Sequence, residues 1–125
     1  MAENAAGRIH VVDDDESVRH SLKFLLRLYG FEVDLHASCQ DFAATYDGGR
    51  SCLLLDQHMP GMTGVEFVEG HRALLRDVPV LMMSANMEPE TRDRAARAGV
   101  ACFFDKPVDT GRLVDELHRL LATAA

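Results

Sequence analysis

Basic residues are scarce in this sequence, since 13 lysines and arginines stand against 20 acidic residues and the formal net charge is -7. That balance argues against direct binding to nucleic acid or to an anionic membrane, so contact with DNA would need another chain. No apolar run approaches the length of a membrane span, and residues 1–7 lack the basic start and apolar centre of a secretory signal. We therefore expect a cytoplasmic protein.

Cysteine is also rare. Cys39, Cys52 and Cys102 are odd in number and far apart, and two of them fall in predicted strands, where a free cysteine behaves as a small apolar residue. This pattern does not predict a disulfide framework. The six histidines lack the CxxC or HExxH partner spacing of zinc proteins, so we expect no structural zinc and place them at the surface or at sheet edges.

The chain has the size and composition of one domain. Its 125 residues are 47% hydrophobic, which is enough to bury a core, and no internal repeat, low-complexity tract or linker interrupts them. We predict a flexible terminus at 1–7, a folded domain at 8–122 and a short tail at 123–125.

Apolar segments of strand length alternate with segments of helical periodicity. The predicted strands are 9–12, 31–35, 52–55, 78–83 and 101–104. The predicted helices are 16–29, 39–46, 65–75, 89–98 and 109–121. Five strands alternating with five helices indicate an α/β domain whose parallel sheet is covered by helices on both faces.

One stretch organises the rest of the chain. Residues 52–55 form a short apolar run that suits a strand buried on both faces, so Asp56 lies at the strand's carboxyl end, where open α/β sheets bind ligands. Pro60 and Gly61 then break regular structure, and Gly64 follows just before the next predicted helix. Asp56 either caps a turn, which is a common use of aspartate, or serves chemistry at this edge.

Other polar side chains follow the remaining strands. In a parallel sheet the carboxyl ends share one edge, which brings together Asp13, Asp14, Asp56, Ser84 and Lys106. Crowded carboxylates repel one another unless a cation is present, and a hard, oxygen-seeking ion such as Mg²⁺ is their natural partner. A lysine and a hydroxyl at the same point are what the oxygens of a phosphoryl group need.

These motifs, in this order, resemble the response-regulator receiver domain of the CheY-like family, over about residues 8–121. The matching segments are Val12-Asp13-Asp14, residues 56–61 with Gly64, Ser84-Ala85 and Lys106-Pro107. Residues 12–19 are most similar to receivers of the FixJ type. The resemblance implies a doubly wound, flavodoxin-like fold with strand order 2-1-3-4-5.

The resemblance also implies a role for each acidic residue. Asp56 would take a phosphoryl group from a phosphohistidine or a small phosphodonor, in a reaction that the domain itself catalyses, as it does the later dephosphorylation. Asp14, Asp56 and the backbone carbonyl of His58 would ligate Mg²⁺, with Asp13 acting through water. The His58 imidazole has no role in that pattern, and the alternative is that its ring shapes access to the phosphate.

Three further positions follow from the resemblance. Lys106 would pair with the phosphoryl oxygens, and Ser84 would hydrogen-bond them, although it could also be a plain turn residue. Phe103 matches the family's aromatic switch position, while Phe104 beside it suits the core. The Lys106-Pro107 bond would be cis, as it is in the family.

The implied partners are a histidine kinase or a histidine phosphotransfer protein, an output domain or target protein, and a second copy of the chain after phosphorylation. A phosphatase of the haloacid-dehalogenase type needs a second aspartate two residues after the nucleophile, where this chain has His58. A phosphate-independent interaction domain of the same fold is the other alternative, and failure to bind Mg²⁺ would favour it. We expect either a stand-alone receiver or part of a longer regulator.

Overall fold

The computed structural model describes residues 7–123, in which five parallel strands alternate with five helices. The strands are Gly7–Val12 (β1), Phe31–His36 (β2), Ser51–Asp56 (β3), Val80–Ser84 (β4) and Cys102–Asp105 (β5). The helices are Glu16–Leu28 (α1), Cys39–Thr45 (α2), Gly64–Gly70 (α3), Pro89–Ala98 (α4) and Thr110–Thr123 (α5). Of the predicted flexible ends, residues 1–6 and 124–125 lie outside the described residues.

The sheet has the order β2-β1-β3-β4-β5, which confirms the predicted fold. Its register aligns the carboxyl ends of the strands. Val12 lies opposite Leu55, so the residues that follow β1 meet the end of β3. Asp56 lies opposite Met83 on β4, and this alignment places the polar residues after each strand along one edge of the sheet.

Two hydrophobic cores cover the two faces of the sheet, because alternate residues of a strand point to opposite sides. One core joins Leu54 of β3 to buried residues of α1 and α5, such as Leu26 and Leu117. The other joins Leu53 and Leu55 to buried residues of α2, α3 and α4. All six residues of β3 are buried, and each fully buried apolar side chain contributes roughly 1.5–3 kcal/mol, so β3 is stabilised from both faces of the sheet.

Capping bonds fix the starts of α1 and α3, which lie within one residue of the predicted starts. The Asp15 carboxylate accepts from the backbone N–H groups of Ser17 and Val18 at the start of α1. Thr63 and Glu66 form a complete capping box at the start of α3, in which each side chain accepts from the other's backbone N–H. Each cap satisfies donors that the first helical turn cannot satisfy itself.

The end of α3 differs most from the prediction, and the other element boundaries lie within two residues of it. Helix α3 ends at Gly70, not at residue 75, because glycine weakens the helix and His71 leaves helical geometry with φ -131° and ψ 38°. The chain continues in turns, which still bury Leu75. Strand β4 begins at Val80, not at residue 78, since Pro79 has no N–H to donate to the sheet and offers only its carbonyl, to the Leu53 N–H at 2.9 Å.

His10 and His36 are buried, at 5% and 9% exposure, which the sequence did not predict. The expected surface or edge position is wrong for His10, because β1 is an interior strand. His36 lies on the edge strand β2, yet its ring is covered. The Nδ1 of His10 and the Nε2 of His36 are 3.1 Å apart, and both rings pack edge-on against Phe42. Burial lowers the pKa of both histidines, so the pair is neutral at pH 7.

The three cysteines are free and buried, which the sequence predicted for the two that lie in strands, Cys52 and Cys102. Burial raises the pKa of Cys39 and of Cys52 to about 12, so both remain protonated, unreactive thiols. Within residues 7–123, no helix combines the length and the apolar character that crossing a membrane requires.

Candidate functional site

Three carboxylates meet at the carboxyl edge of the sheet. One oxygen each of Asp13, Asp14 and Asp56 can be chosen such that all three lie within 4.8 Å of one another. Asp13 and Asp56 are buried, at 0% and 3% exposure, whereas Asp14 faces solvent. The alignment of Val12 with Leu55 produces this meeting, because each acid ends or directly follows a strand. The cluster therefore opens to solvent on the Asp14 side.

Lys106 reaches this cluster from the far side of the sheet, just after β5. Its Nζ lies 2.8 Å from Asp13 Oδ2 and 3.3 Å from Asp56 Oδ1. Burial and the Asp13 charge raise the pKa of Asp56, and Lys106 only partly offsets them. Burial would lower the pKa of Lys106, but its hydrogen bond to Asp13 and the charge of Asp56 outweigh that effect and raise it. The site keeps more negative than positive charge.

Asp13 is held on every side. Its backbone N–H donates to the His36 carbonyl at 3.2 Å, and its own carbonyl accepts from Arg19 Nη1 at 2.8 Å. Its Oδ1 accepts from the Asp15 N–H at 2.9 Å, while Oδ2 binds Lys106. Both carboxylate oxygens are thus engaged within the protein, in contrast to the exposed Asp14.

The loop between β3 and α3 folds back over the end of β3. The His58 N–H donates to Asp56 Oδ1 at 3.3 Å, which is a turn contact of the kind that aspartate often makes. The exposed His58 ring reaches the next loop, where its Nε2 lies 3.2 Å from the Asn86 carbonyl. A carbonyl can only accept, so Nε2 carries the proton in this contact. The imidazole links two loops beside Asp56.

The start of α3 lies directly against the same loop. A Cβ on Gly64 would come within 2.7 Å of the Asp56 carbonyl oxygen, a distance that real Cβ atoms do not show. Gly64 donates its N–H to the Gln57 carbonyl at 3.0 Å, and Val65 donates to Gln57 Oε1 at 2.8 Å. Glycine is therefore required at position 64 for close approach, since any larger side chain would push the helix away from Asp56.

Ser84 and Phe103 lie on the neighbouring strands. Ser84 is fully buried at the end of β4, and its Oγ accepts from the Asn86 N–H at 3.0 Å. A hydroxyl retains its own O–H donor while accepting such a bond. Phe103 is half-buried, and the guanidinium of Arg92 lies 4.9 Å from its ring centroid. Phe104 is 2% exposed and belongs to the core, as expected.

The structure thus brings the predicted acids and Lys106 into one site, and the Lys106-Pro107 peptide bond is cis. Sequence reasoning missed Gln57 and Arg19, which hold the loops of the site through bonds to Val65 and Asp13. Neither residue type carries a signal for such a role. Arg19 is one of many helix arginines, and Gln57 is informative only through its position after Asp56.

The carboxylate donors fit a small divalent cation. Mg²⁺ prefers carboxylate and carbonyl oxygens, and the three carboxylates offer such oxygens within one small volume. The raised pKa of Asp56 also indicates that the site lacks positive charge, because a nearby cation would favour the charged form of this carboxyl. The fold and this edge define a doubly wound α/β domain with an acidic site compatible with Mg²⁺.

Residues 9–118 match the response regulator receiver domain, and the chain belongs to this family. It is a receiver domain of the kind found in two-component response regulators, which confirms the prediction from the sequence motifs.

The relatives include the transcriptional regulatory protein FixJ of Azorhizobium caulinodans, which is 33% identical over 121 residues; the match covers 94% of this chain and 56% of that protein. The crystal structure of full-length FixJ from B. japonicum superposes with a TM-score of 0.87 at 31% identity, covering 96% of this chain and 60% of that one. The crystal structure of FixJ-N gives 0.85 at 30% identity, covering 94% of this chain and 95% of that one. The chain therefore spans little more than half the length of full-length FixJ proteins.

Proposed function

We propose that Asp56 accepts a phosphoryl group from the phosphohistidine of a histidine kinase or of a histidine phosphotransfer protein. The observation that supports this most directly is the placement of Asp56. Its carboxylate is buried at the end of the central strand, lies within 4.8 Å of two further carboxylates, and has Lys106 Nζ at 3.3 Å. A nucleophilic carboxylate in ion-pair contact with a lysine suits an incoming phosphoryl group, because the lysine can then pair with the oxygens of that group.

In the proposed transfer, an oxygen of Asp56 forms a bond to phosphorus while the phosphorus–nitrogen bond of the donor histidine breaks. The bonding electron pair remains with the imidazole nitrogen, which takes up a proton. Lys106 then pairs with the phosphoryl oxygens, and Ser84 donates its O–H to them while keeping its bond from Asn86. In dephosphorylation, water attacks the phosphorus, the bond between phosphorus and the Asp56 oxygen breaks, and inorganic phosphate leaves while Asp56 returns to a carboxylate.

Asp14, Asp56 and the backbone carbonyl of His58 would hold Mg²⁺, with Asp13 acting through a water molecule. The bonds of the Asp13 carboxylate to Asp15 and Lys106 support an indirect role, and the exposure of Asp14 supports a direct one. When bound, the ion would offset the negative charge of the carboxylates and of the phosphoryl group.

Phosphorylation would act on partners through Ser84 and Phe103. If the phosphoryl group draws the Ser84 hydroxyl inward, space opens for the half-buried Phe103 ring, and the surface formed by α4, β5 and α5 changes shape. That surface would bind an output domain, a target protein or a second copy of the chain. Since the FixJ relatives are named transcriptional regulatory proteins, any DNA contact is assigned to an output region and not to this acidic domain. A cytoplasmic location accompanies this proposal, because the donor's phosphohistidine is made from ATP.

Intact-mass measurement after incubation with acetyl phosphate and Mg²⁺ tests the acceptor. We expect one added phosphoryl group on the parent and none on Asp56→Asn. Asp105→Asn is the matched control, because Asp105 also ends a strand at this edge but is exposed. A full-sized adduct on Asp56→Asn would contradict the assignment, and a parent that binds neither phosphoryl nor Mg²⁺ would favour a phosphate-independent interaction domain.

A further inference from the structure

We propose that Gln57 is a positioning residue for the acidic site, which it serves by fixing the loop between β3 and α3. Gln57 follows Asp56 directly and is buried, at 5% exposure. Its backbone N–H donates to the Met83 carbonyl at 2.9 Å, so its backbone belongs to the sheet. This inference rests on the function proposed above.

Both oxygens of Gln57 bind the start of α3. Its carbonyl accepts from the Gly64 N–H at 3.0 Å, and its side-chain Oε1 accepts from the Val65 N–H at 2.8 Å. The first N–H groups of a helix have no partner within the helix and need an acceptor from elsewhere. Thr63 supplies one for Glu66 through the capping box. Gln57 supplies the two that precede it, from the strand that carries Asp56.

These two bonds close the loop at its base. Everything between Gln57 and Gly64, including His58, is tied to the end of β3 on one side and to the start of α3 on the other. His58 contributes its N–H to Asp56 Oδ1 and its carbonyl to the proposed metal site. Gly64 lies so close to the Asp56 carbonyl that no gap remains between the start of α3 and the end of β3. A shift of α3 would therefore move the loop relative to Asp56.

Of the two bonds from Gln57 to α3, only the side-chain bond can be removed by a substitution at position 57. The Gly64 bond uses a backbone carbonyl that every residue has, whereas the Val65 bond needs an acceptor of glutamine length at position 57. The Val65 N–H is buried, so losing this acceptor favours any movement of α3 that finds it another partner. Groups that orient metal ligands without touching the ion commonly change its affinity by about 10-fold to 100-fold when they are removed.

Mg²⁺ titration followed by amide chemical shifts tests the proposal on the full chain. Gln57→Met keeps the length and removes the acceptor, and we expect Mg²⁺ affinity to fall by about 10-fold. Gln57→Glu keeps an oxygen at the same reach and should retain affinity at or above that of the parent. Thr63→Ala is the matched control, because it removes a cap from the same helix without opening the base of the loop. Its Mg²⁺ affinity should stay within about twofold of the parent's, well short of the change expected at an orienting group.

Urea unfolding of the same variants separates positioning from stability. Equal affinities in Gln57→Met and in the parent would overturn the inference, and so would an equal loss in Thr63→Ala at similar stability. If Gln57→Met does not fold, Gln57→Asn replaces it, since its amide is one methylene too short to reach Val65, and the same loss is expected. A parent that fails to bind Mg²⁺ would overturn the proposed function and this inference with it. If the parent binds Mg²⁺ and Gln57→Met, or Gln57→Asn in its place, binds it equally well, only the inference about Gln57 is overturned.

Discussion

Two buried polar clusters lie next to each other along β1, and they differ in the balance of their charges. His10 and His36 share one hydrogen bond at 3.1 Å among aromatic rings, and burial lowers the pKa of both, so the pair is neutral at pH 7. Three residues after His10, Asp13 belongs to a cluster of three carboxylates, two of which, Asp13 and Asp56, pair with Lys106. Burial and repulsion raise the pKa of Asp56 there.

The contrast shows which buried polar groups require a ligand. A hydrogen-bonded neutral pair satisfies itself and needs nothing beyond the packing of its rings. Buried negative charge that the fold does not neutralise lowers the stability of the folded state unless an ion or a cationic side chain offsets it. The acidic site is therefore expected to respond to metal and phosphoryl ligands, and the histidine pair to pH alone.

The largest expected effect concerns Asp14, the exposed member of the acidic site. Asp14→Ala should lower Mg²⁺ affinity and the rate of phosphorylation by acetyl phosphate by about 100-fold or more, because it removes a direct ligand. Mg²⁺ titration and intact mass measure the two effects, with exposed Asp105→Asn as the control. Phosphorylation of the parent that proceeds equally well in excess EDTA would show that the acidic site needs no metal.

The next effect in size is the coupling between the site and the α4-β5-α5 surface. Ser84→Ala and Phe103→Ala should leave Mg²⁺ affinity nearly unchanged and weaken the response to phosphorylation, because a ligand shifts two states only by its differential affinity for them. That difference is on the order of 1–3 kcal/mol. Amide chemical shifts with and without beryllofluoride measure it. Shifts in α4 and α5 as large in both variants as in the parent would exclude this route.

Asp56→Asn should stabilise the metal-free domain against urea at pH 7. Burial and repulsion by Asp13 raise the pKa of this carboxyl, so the variant removes a charge that the folded state disfavours. Saturating Mg²⁺ should reduce or reverse the difference, because the ion favours the charged parent. Equal stability of parent and variant in EDTA would mean that Lys106 already balances the site.

The histidine pair gives the smallest effect, and its sign follows from the lowered pKa values. Below the ordinary histidine pKa of about 6.5 the unfolded chain binds more protons than the folded one. The pair's contribution to stability therefore decreases as the pH is lowered below that value, and it is constant above about pH 7. We expect a loss of up to about 1 kcal/mol between pH 7 and 5.5. Urea unfolding of a double His10→Gln, His36→Gln variant should show a flatter profile, while exposed His20→Gln should follow the parent.

The features that the sequence predicted depend on residues that are close together in the chain. Helix starts follow from Asp15 and Thr63, and the acidic edge follows from strands that end in charged residues. The features it did not predict depend on partners distant in the chain. The burial of His10 depends on His36 and Phe42, and the Gln57 bond depends on where α3 comes to lie. The early end of α3 at Gly70 reflects a weak helix former whose effect the apolar periodicity of its neighbours concealed.

The contact between Lys106 and Asp13 joins residues 93 positions apart and spans the sheet from its last strand to its first in chain order. We expect such a contact to form late in folding, because the loop it closes includes nearly the whole domain. During synthesis the three aspartates emerge well before Lys106, so a partly made chain carries the proposed acceptor without the lysine proposed to pair with the phosphoryl oxygens. If these proposed roles hold, only the complete fold can accept the phosphoryl group, and an incomplete domain should not compete for the phosphoryl donor.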